Sequence, residues 1–221
     1  MLRPAPSVQW PLLETLPASV SIPEGYTFRP IAREEVATVV ERLRTWYPDV
    51  VVGAESCHVE EAFWHEQVVL QGEERSGKFL YGLSFWHEAE YTGFITFELN
   101  PRSRTIHGRL GVVSPKYRHA QLMFTAIRLA ELIGRAAGAE IILNYATLQH
   151  PFSQAVLEKC GFKLVGIVPH DRDMVRPGTV QRVFEALYIK LLVPPEELPE
   201  PSLDAMLPET RRLYEFLFKP R

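Results

Sequence analysis

The sequence TIHGRLGVVSPKYRHAQLMFTAIRLAELIGRAAG spans residues 105–138 and decides how the rest of the chain is interpreted. Its pattern predicts a buried strand over 105–113, a short turn over 114–119 and a long helix over 120–138. A helix that follows directly on a buried strand directs unpaired backbone N–H groups and the positive end of its dipole at one place. We therefore expect an anion-binding site at the start of this helix.

The helix is predicted from apolar residues that recur at helical spacing and form one stripe. They are Leu122, Ala126, Leu129, Ala130, Ile133 and Ala137. Gly138 supplies a stop signal directly after the stripe. The pattern thus predicts a helix that buries one face.

The residues that follow complete a familiar order of elements. AEIILNYAT (139–147) predicts a buried strand, HPFSQAVLEKC (150–160) a short helix, and Gly161-Phe162 leads into another strand. This order resembles the GNAT superfamily of N-acyltransferases, whose core runs strand, pyrophosphate loop, long helix, strand, helix, "GF", strand. The resemblance covers residues 26–193, and its residue-level support is VVSPKYR and KCGF.

The resemblance implies an α/β (α+β) fold, with a GNAT-like mixed, mostly antiparallel central sheet flanked by helices. Alternation and apolar runs predict further strands, and helical spacing predicts two helices ahead of the central unit. The strands are 26–31, 78–87, 91–99 and 183–193, and the helices are 33–46 and 59–71. Residues 49–58 and the polar residues 170–178 are interpreted as loops.

The chain is expected to have three parts. Residues 1–25 contain five prolines and are predicted to lie extended over the surface, with Trp10, Leu12, Leu13 and Leu16 as docking points. Residues 26–193 form the GNAT-like acyltransferase domain. Residues 194–221 form a proline-rich tail with a short amphipathic helix, which we expect to pack on its own domain; the alternative is a partner-binding helix.

The composition excludes several classes of function. The net charge of -3 and the scattered Lys and Arg residues argue against nucleic acid as a partner. Cys57 and Cys160 show neither a disulfide framework nor metal spacing, which predicts a reducing, cytoplasmic setting without a metal site. No apolar run approaches the roughly twenty residues that a membrane helix needs, so we expect no membrane association.

The predicted anion site departs from the family motif. A GNAT pyrophosphate loop reads R/Q-x-x-G-x-G/A, because small residues let backbone amides close on the pyrophosphate of coenzyme A. Arg118 matches the first position, but Gln121 and Met123 stand where the small residues belong. Their side chains either block the phosphates or hold them farther out, and the Gln121 amide offers a replacement donor. A packed helix start without a ligand is the alternative.

The resemblance implies that acetyl-CoA, or another acyl-CoA, is the cosubstrate. The positions that match the family's cofactor-binding segments lie at the end of the strand, in the loop and in the following helix. They are Val112, Val113, Arg118, His119, Ala120, Gln121, Leu122, Met123 and Gln154.

A second family signature is an Asn before the "GF" helix and a Tyr within it, which protonates the leaving thiolate in many members. Pro151 and Leu157 occupy these two positions, so that tyrosine acid is absent. His150 precedes the helix and shares a face with Gln154, and we interpret His150 as a candidate for the cofactor or acid role. The alternative is structural: His150 or Ser153 caps the helix.

GNAT chemistry needs a base for the acceptor ammonium and a backbone N–H, on the strand before the loop, that polarises the thioester carbonyl. His107 is the first candidate base because its intrinsic pKa suits the task. Glu98 is the second and needs a raised pKa or a water relay. A third candidate group is His170, Asp171 and Asp173, and for all of these a solvated polar residue is the alternative.

The sequence therefore favours an acyltransferase that moves an acetyl group from acetyl-CoA to an amine of a small molecule or peptide. Acceptor specificity is expected in residues 49–71, which cover the acceptor site in GNAT proteins. Two alternatives stay open: a catalytically degenerate GNAT-like binding or regulatory module, and an acyltransferase that uses an acyl-carrier-protein thioester. The pattern also leaves a homodimer open.

Overall fold

A computed structural model describes residues 9–73 and 77–219. The helices are α1 (Val36–Trp46), α2 (Glu61–Gln67), α3 (Leu122–Ala136), α4 (Phe152–Lys159) and α5 (Pro208–Phe218). The strands are β1 (Tyr26–Pro30), β2 (Val68–Val69), β3 (Leu80–His87), β4 (Glu90–Asn100), β5 (Thr105–Val113), β6 (Ile141–Thr147), β7 (Lys163–Arg176) and β8 (Thr179–Leu191).

Within the described ranges the eight strands form one sheet in the order β1-β3-β4-β5-β6-β8-β7, and the short β2 pairs with β3. The β5–β6 and β2–β3 pairs are parallel, and the other neighbours are antiparallel. The predicted mixed, mostly antiparallel sheet flanked by helices is therefore confirmed.

Two apolar cores cover the two faces of the sheet. On one face, α3 and α4 contribute Ala126, Ile133 and Leu157 to a core that includes Ile106 of β5. On the other face, α1 and α2 contribute Val40 and Trp64 to a core shared with β3 and β4. The predicted stripe of α3 is buried in the first core, since each of its six members is less than 9% exposed.

The parallel strands β5 and β6 separate after a short paired stretch. Their register runs from Thr105 opposite Ile141 to Gly108 opposite Asn144 and ends there. A β-bulge follows on β5, where Arg109 and Leu110 lie opposite one residue of β4. Beyond the bulge β5 pairs only with β4, so a gap opens between β5 and β6 toward the loop that leads into α3.

The largest departure from the prediction is the β7–β8 hairpin. Most of residues 170–178, predicted as a polar loop, belong to β7, and the turn is confined to Pro177-Gly178. β8 correspondingly begins at Thr179 rather than at residue 183. The prediction was wrong because β7 is an edge strand, whose backbone pairing with β8 holds it extended without an apolar face.

Several predicted element bounds also move. A 3-10 turn (Arg33–Glu35) precedes α1, and two such turns (Pro48–Val51 and Ala54–Val59) lie where a loop was predicted. The second helix ends at Gln67, because Val68 and Val69 are β-branched and pair with β3 instead. α3 begins at Leu122 and α4 at Phe152, each two residues later than predicted.

The two ends of the described chain pack very differently. Trp10 is 3% exposed and stacks on Tyr81 with ring centroids 5.2 Å apart, while Leu13 and Leu16 pack against the same core. Leu217 is buried in α5, but Phe216 on the same helix is 71% exposed. Residues 10–16 thus contribute to the core, whereas α5 keeps much apolar surface in solvent. Residues 1–8 of the predicted extended segment lie outside the described residues.

Candidate active site

The start of α3 presents bare backbone amides. Gln121 precedes the helix in the left-handed conformation with φ 56°, and no side chain caps the helix there. Thr125 N–H donates to Gln121 O at 3.1 Å and is the first intrahelical bond. The N–H groups of residues 122–124 therefore have no intrahelical acceptor, as an anion site requires.

Gln121 and Met123, which replace the family's small residues, both contact other parts of the protein. A Cβ on Gly111 would lie 2.7 Å from Met123 Cε, so Met123 packs onto the sheet where Gly111 leaves room. Gln121 Oε1 accepts a hydrogen bond from Lys159 Nζ at 3.0 Å, which directs the side chain toward α4. Both long side chains are thereby engaged away from the amides of residues 122–124.

The other residues predicted to hold the cofactor have different surroundings. Val112 and Val113 are buried in the two opposite cores. The Arg118 guanidinium lies over the Tyr47 ring, 5.5 Å from its centroid, and His119 is exposed. Arg118 therefore contacts the end of α1, whereas the buried valines are placed to contribute backbone only.

The backbone of β5 offers donors along the gap. Ser114 N–H donates to Thr92 O of β4 at 2.8 Å. Successive N–H groups of a strand point to opposite edges, so the N–H groups of Val113 and Gly111 point away from β4 and toward the gap. Gly111 is exposed, consistent with an open strand edge.

Three aromatic rings form a row on the α1/α2 face of the sheet. His107 of β5 contacts Tyr145 of β6 edge-on with centroids 5.5 Å apart. Tyr145 stacks on His170 of β7 with centroids 3.6 Å apart. The structure thus brings together His107 and His170, which were separate candidates in the sequence.

His107 is a weak base in this position. Burial lowers the pKa of its imidazole to about 4, and the positive charge of Arg109 adds to the effect. The ring is therefore neutral at neutral pH but has little affinity for a further proton. This environment argues against His107 as the group that deprotonates an ammonium.

Glu98, the second candidate, is committed to an ion pair. Arg109, which stands in the β5 bulge, pairs with Glu98 and also donates from Nε to Glu55 Oε1 at 2.9 Å. Burial raises the pKa of the Glu55 carboxyl, while Arg109 opposes that rise. Arg109 thus joins two carboxylates beside His107, and the sequence did not single out Arg109 or Glu55.

Glu185 has the properties expected of a base, and sequence reasoning missed it. It lies on β8 opposite Thr147 of β6, on the same face as Tyr145. Burial, with a smaller contribution from the charges of Asp171, Asp173 and Glu55, raises the pKa of its carboxyl to about 7. Its Oε2 is buried and has no hydrogen-bond partner among the described residues. The available signal was an acid inside the otherwise apolar run VFEALYIKLLV.

These side chains form what we call the polar cluster. Its members are Glu55, His107, Arg109, Tyr145, His170, Asp171, Asp173 and Glu185. The residues that precede α2 cover it: Ala54 N–H donates to Asp171 Oδ1 at 3.0 Å, and His58 Nε2 lies 2.9 Å from Thr96 Oγ1. The cluster therefore has a covering segment on the face opposite to α3.

His150 and Gln154 lie outside the polar cluster. Gln154 Nε2 donates to Thr147 O at 3.0 Å and to His150 O at 3.2 Å, so this side chain closes the turn between β6 and α4. His150 is exposed and 5.2 Å from the Phe152 ring. No side chain caps α4 at Pro151, so the expectation that His150 or Ser153 caps it was wrong.

Asn144 stands at the point where β5 and β6 separate. It is 7% exposed, and its Nδ2 has no hydrogen-bond partner in the described part of the chain. A Cβ on Gly108 would collide with the Asn144 carboxamide, which therefore crosses from β6 to β5. An unpartnered buried amide costs about 1–3 kcal/mol. Sequence reasoning missed this residue, although it is the polar residue inside IILNYAT.

The sheet splays beside the uncapped start of α3, and this arrangement offers an anion site between two strands. No family model and no curated protein matches the sequence. Solved structures do match. One is a GNAT-family acetyltransferase from Streptococcus pneumoniae, with a TM-score of 0.55 and 13% identity over 75% of this chain and 99% of that one.

Two further structures give the same result. A ribosomal-protein-S5-alanine acetyltransferase from Vibrio fischeri matches with a TM-score of 0.57 and 12% identity, over 78% of this chain and 96% of that one. A chimeric spermidine N-acetyltransferase from Vibrio cholerae matches with a TM-score of 0.59 and 12% identity, over 76% and 96%. The chain has the GNAT fold, which confirms the resemblance seen in the sequence.

Neither a metal site nor a membrane-spanning helix is found among the described residues. Across residues 9–73 and 77–219, no three His, Cys, Asp or Glu side chains are grouped so that they could hold a metal ion. None of the helices in these ranges is both long enough and apolar enough to cross a membrane.

Proposed function

We propose that this protein is an acyltransferase that moves an acyl group, most simply acetyl from acetyl-CoA, to an amine of a small molecule or peptide. The observation that carries the proposal is the gap between β5 and β6, which ends at the uncapped start of α3. A long ligand with a pyrophosphate in its middle suits this combination of a strand-lined gap and an anion site.

The residues present fit coenzyme A. The amides of residues 122–124 offer donors to the pyrophosphate, and Lys159 and Arg118 add positive charge nearby. The edge amides of Gly111 and Val113 offer hydrogen bonds along the gap, as a strand edge does for an extended ligand. The acyl-CoA would supply the activated thioester.

The polar cluster supplies the amine side of the reaction. Glu185 is proposed as the base that takes a proton from the acceptor ammonium, because its pKa of about 7 lets it exchange protons near neutrality. His107 and Tyr145 form the wall beside the gap, and Arg109 holds Glu98 and Glu55 in place. This revises the assignment of the base from His107 and Glu98 to Glu185.

An amine acceptor is also supported by the structurally similar proteins, which are named for acetyl transfer to spermidine and to the alanine of a ribosomal protein. The acidic side chains around Glu185 would attract a cationic amine. The acceptor is therefore proposed at the level of a primary amine.

Calorimetric titration of the purified protein with acetyl-CoA and CoA tests the proposal, followed by measurement of thiol release with a panel of amines. We expect micromolar binding, about 8 kcal/mol, and amine-dependent thiol release. ADP is the control ligand, because it shares the pyrophosphate but lacks the pantetheine arm that would fill the gap. ADP should bind more weakly than CoA.

Absence of both heat and thermal stabilisation at high acetyl-CoA concentration would overturn the acyl-CoA proposal. A carrier-protein thioester as donor, or a non-catalytic GNAT-like module, would then be tested with acyl carrier protein in the same thiol-release assay. Equal affinity for ADP and CoA would show that only the helix start binds, without the gap.

A further inference from the structure

The point where β5 and β6 separate is occupied by one side chain. Gly108 and Asn144 are the last paired residues of the two strands. The missing side chain of Gly108 is what makes room for the Asn144 carboxamide, since any Cβ there would collide with it. Gly108 does not have a positive φ, so space rather than backbone conformation accounts for the glycine.

The Asn144 carboxamide has an N–H donor without an acceptor among the described residues. The residue is 7% exposed, and Nδ2 is buried without a partner among the residues that the structure describes. Buried amide groups are almost always hydrogen-bonded in proteins, so a free one at the closed end of a ligand gap points to a ligand acceptor. Asn144 is therefore placed at the innermost point that a ligand in the gap can reach.

The groups around the gap indicate which ligand atom accepts a hydrogen bond from Asn144 Nδ2. Leu157 of α4 is apolar and 4% exposed, and the hydroxyl of Tyr188, which pairs with Asn144 across β8 and β6, donates to Glu158 Oε1 at 2.8 Å, so neither offers a free hydroxyl donor. The edge amides of Gly111 and Val113 are nearer the open end and are available to carbonyl oxygens. The sulfur of an acyl thioester is the acceptor that these groups leave without a donor.

We propose that Asn144 Nδ2 donates a hydrogen bond to the sulfur of the acyl thioester and to the thiolate that it becomes. This inference rests on the proposed acyl-CoA function. The role is that of a catalytic residue that stabilises the leaving group, not of an acid, because a carboxamide does not give up a proton.

The reaction balances with this role. The acceptor ammonium gives one proton to the base, and the amine nitrogen then bonds to the thioester carbonyl carbon. The carbon–sulfur bond breaks, and sulfur leaves with the bonding electron pair as a thiolate that holds the Asn144 hydrogen bond. The amide nitrogen loses its second proton, the thiolate takes a proton from water, and the net release is one proton to solvent.

Binding of CoA and of desulfo-CoA, which lacks the sulfur atom, tests the inference without relying on turnover. At a pH above the thiol pKa the wild type should prefer CoA by about tenfold, the scale of a hydrogen bond to a charged acceptor. Asn144→Leu, which has a similar volume, should lose that preference and bind desulfo-CoA as the wild type does. Its thermal stability should not fall, because the buried polar group is removed.

Two further variants keep the test decisive. Gly108→Ala should also abolish the preference, because its Cβ displaces the carboxamide. Asn144→Ala provides the same comparison should Asn144→Leu fold poorly. An undiminished preference for CoA in a folded Asn144 variant would overturn the inference, as would an equal loss of affinity for both ligands.

The failure of this inference is distinguishable from the failure of the proposed function. A wild type that binds neither ligand contradicts the acyl-CoA function itself. A wild type that binds CoA and releases thiol with amines, while Asn144→Leu keeps the preference for CoA, contradicts only the role of Asn144.

Discussion

At the scale of single residues, the site depends on pairs in which a glycine on β5 makes room for a larger side chain elsewhere. Gly111 accommodates Met123, and Gly108 accommodates Asn144. The small residue that the pyrophosphate motif lacks in α3 is thus matched by a small residue on the facing strand. A comparison with the family motif, position by position, treats Met123 as an obstruction. The pair with Gly111 shows instead that the Met123 side chain packs against β5.

Glu185 gives the sharpest prediction at this scale. The pKa of its carboxyl is raised to about 7 mainly by burial, so the base form appears as the pH rises through about 7. We expect kcat/KM for the amine to increase through that range. Glu185→Gln should lower kcat/KM by about 10²–10⁴-fold and remove the inflection. The measurement is a pH profile with acetyl-CoA held constant.

Ionisation of Glu185 should also lower the stability of the protein as the pH rises, while it increases the rate. The folded state keeps a proton on this carboxyl between about pH 4.5 and about pH 7, where the unfolded chain has released it, so this contribution to the free energy of unfolding falls as the pH rises. Glu185→Gln should therefore raise the melting temperature above pH 7 and have no effect near pH 4.

Asp173→Asn is the matched control for both effects, because removing a neighbouring negative charge should move the inflection of the rate to lower pH without abolishing it. An inflection near pH 7 that persists in Glu185→Gln would assign the base to another group.

At the scale of elements, the sequence predicted those helices, strands and turns that have a local residue pattern. The α3 stripe and the turn between β4 and β5 are local patterns, and both appear in the structure, whereas β4 is buried on both faces instead of alternating. The β7–β8 hairpin was missed because polar residues on an edge strand carry no apolar signal. The polar cluster was only partly predicted, since tertiary contacts between distant segments bring its members together: β8 carries Glu185 by pairing with β6, and the turn that carries Glu55 contacts β7.

The segment that covers the polar cluster meets β7 at Gly53. This glycine has φ +85°, and a Cβ on it would lie 2.5 Å from Arg172 O and 2.8 Å from Asp171 Oδ2. Gly53→Ala should therefore push the covering segment away from β7. We expect KM for the amine to rise by about tenfold, equivalent to about 1.4 kcal/mol. The affinity for CoA should be unchanged, because the proposed CoA site lies in the β5–β6 gap and at the start of α3, away from Gly53.

Gly72→Ala is the matched control for this change. Gly72 has φ +78° but nothing within 4 Å of a Cβ, so the variant introduces the same backbone strain without a contact. The difference in amine KM between the two variants isolates the contact with β7. Equal kinetic effects in Gly53→Ala and Gly72→Ala would show that the covering segment does not shape the acceptor site.

At the scale of the whole molecule, Trp10 is the most deeply buried side chain of the described segment that precedes β1. Trp10 is 3% exposed and lies in the same core as α3 and β3, whereas its neighbour Leu12 is 42% exposed. Large aromatic side chains removed from a core cost about 3–5 kcal/mol. The segment that precedes the first strand is therefore expected to stabilise the sheet that holds the site.

Trp10→Ala should lower the free energy of unfolding by about 3–5 kcal/mol, and Leu12→Ala by no more than about 0.5 kcal/mol. Urea denaturation monitored by far-UV circular dichroism measures both values. The CoA affinity of folded Trp10→Ala should match the wild type, because Trp10 packs on β3 rather than on the β5–β6 gap. A loss below about 1 kcal/mol for Trp10→Ala would show that the segment lies on the core without stabilising it, since an aromatic ring buried from water contributes more than that.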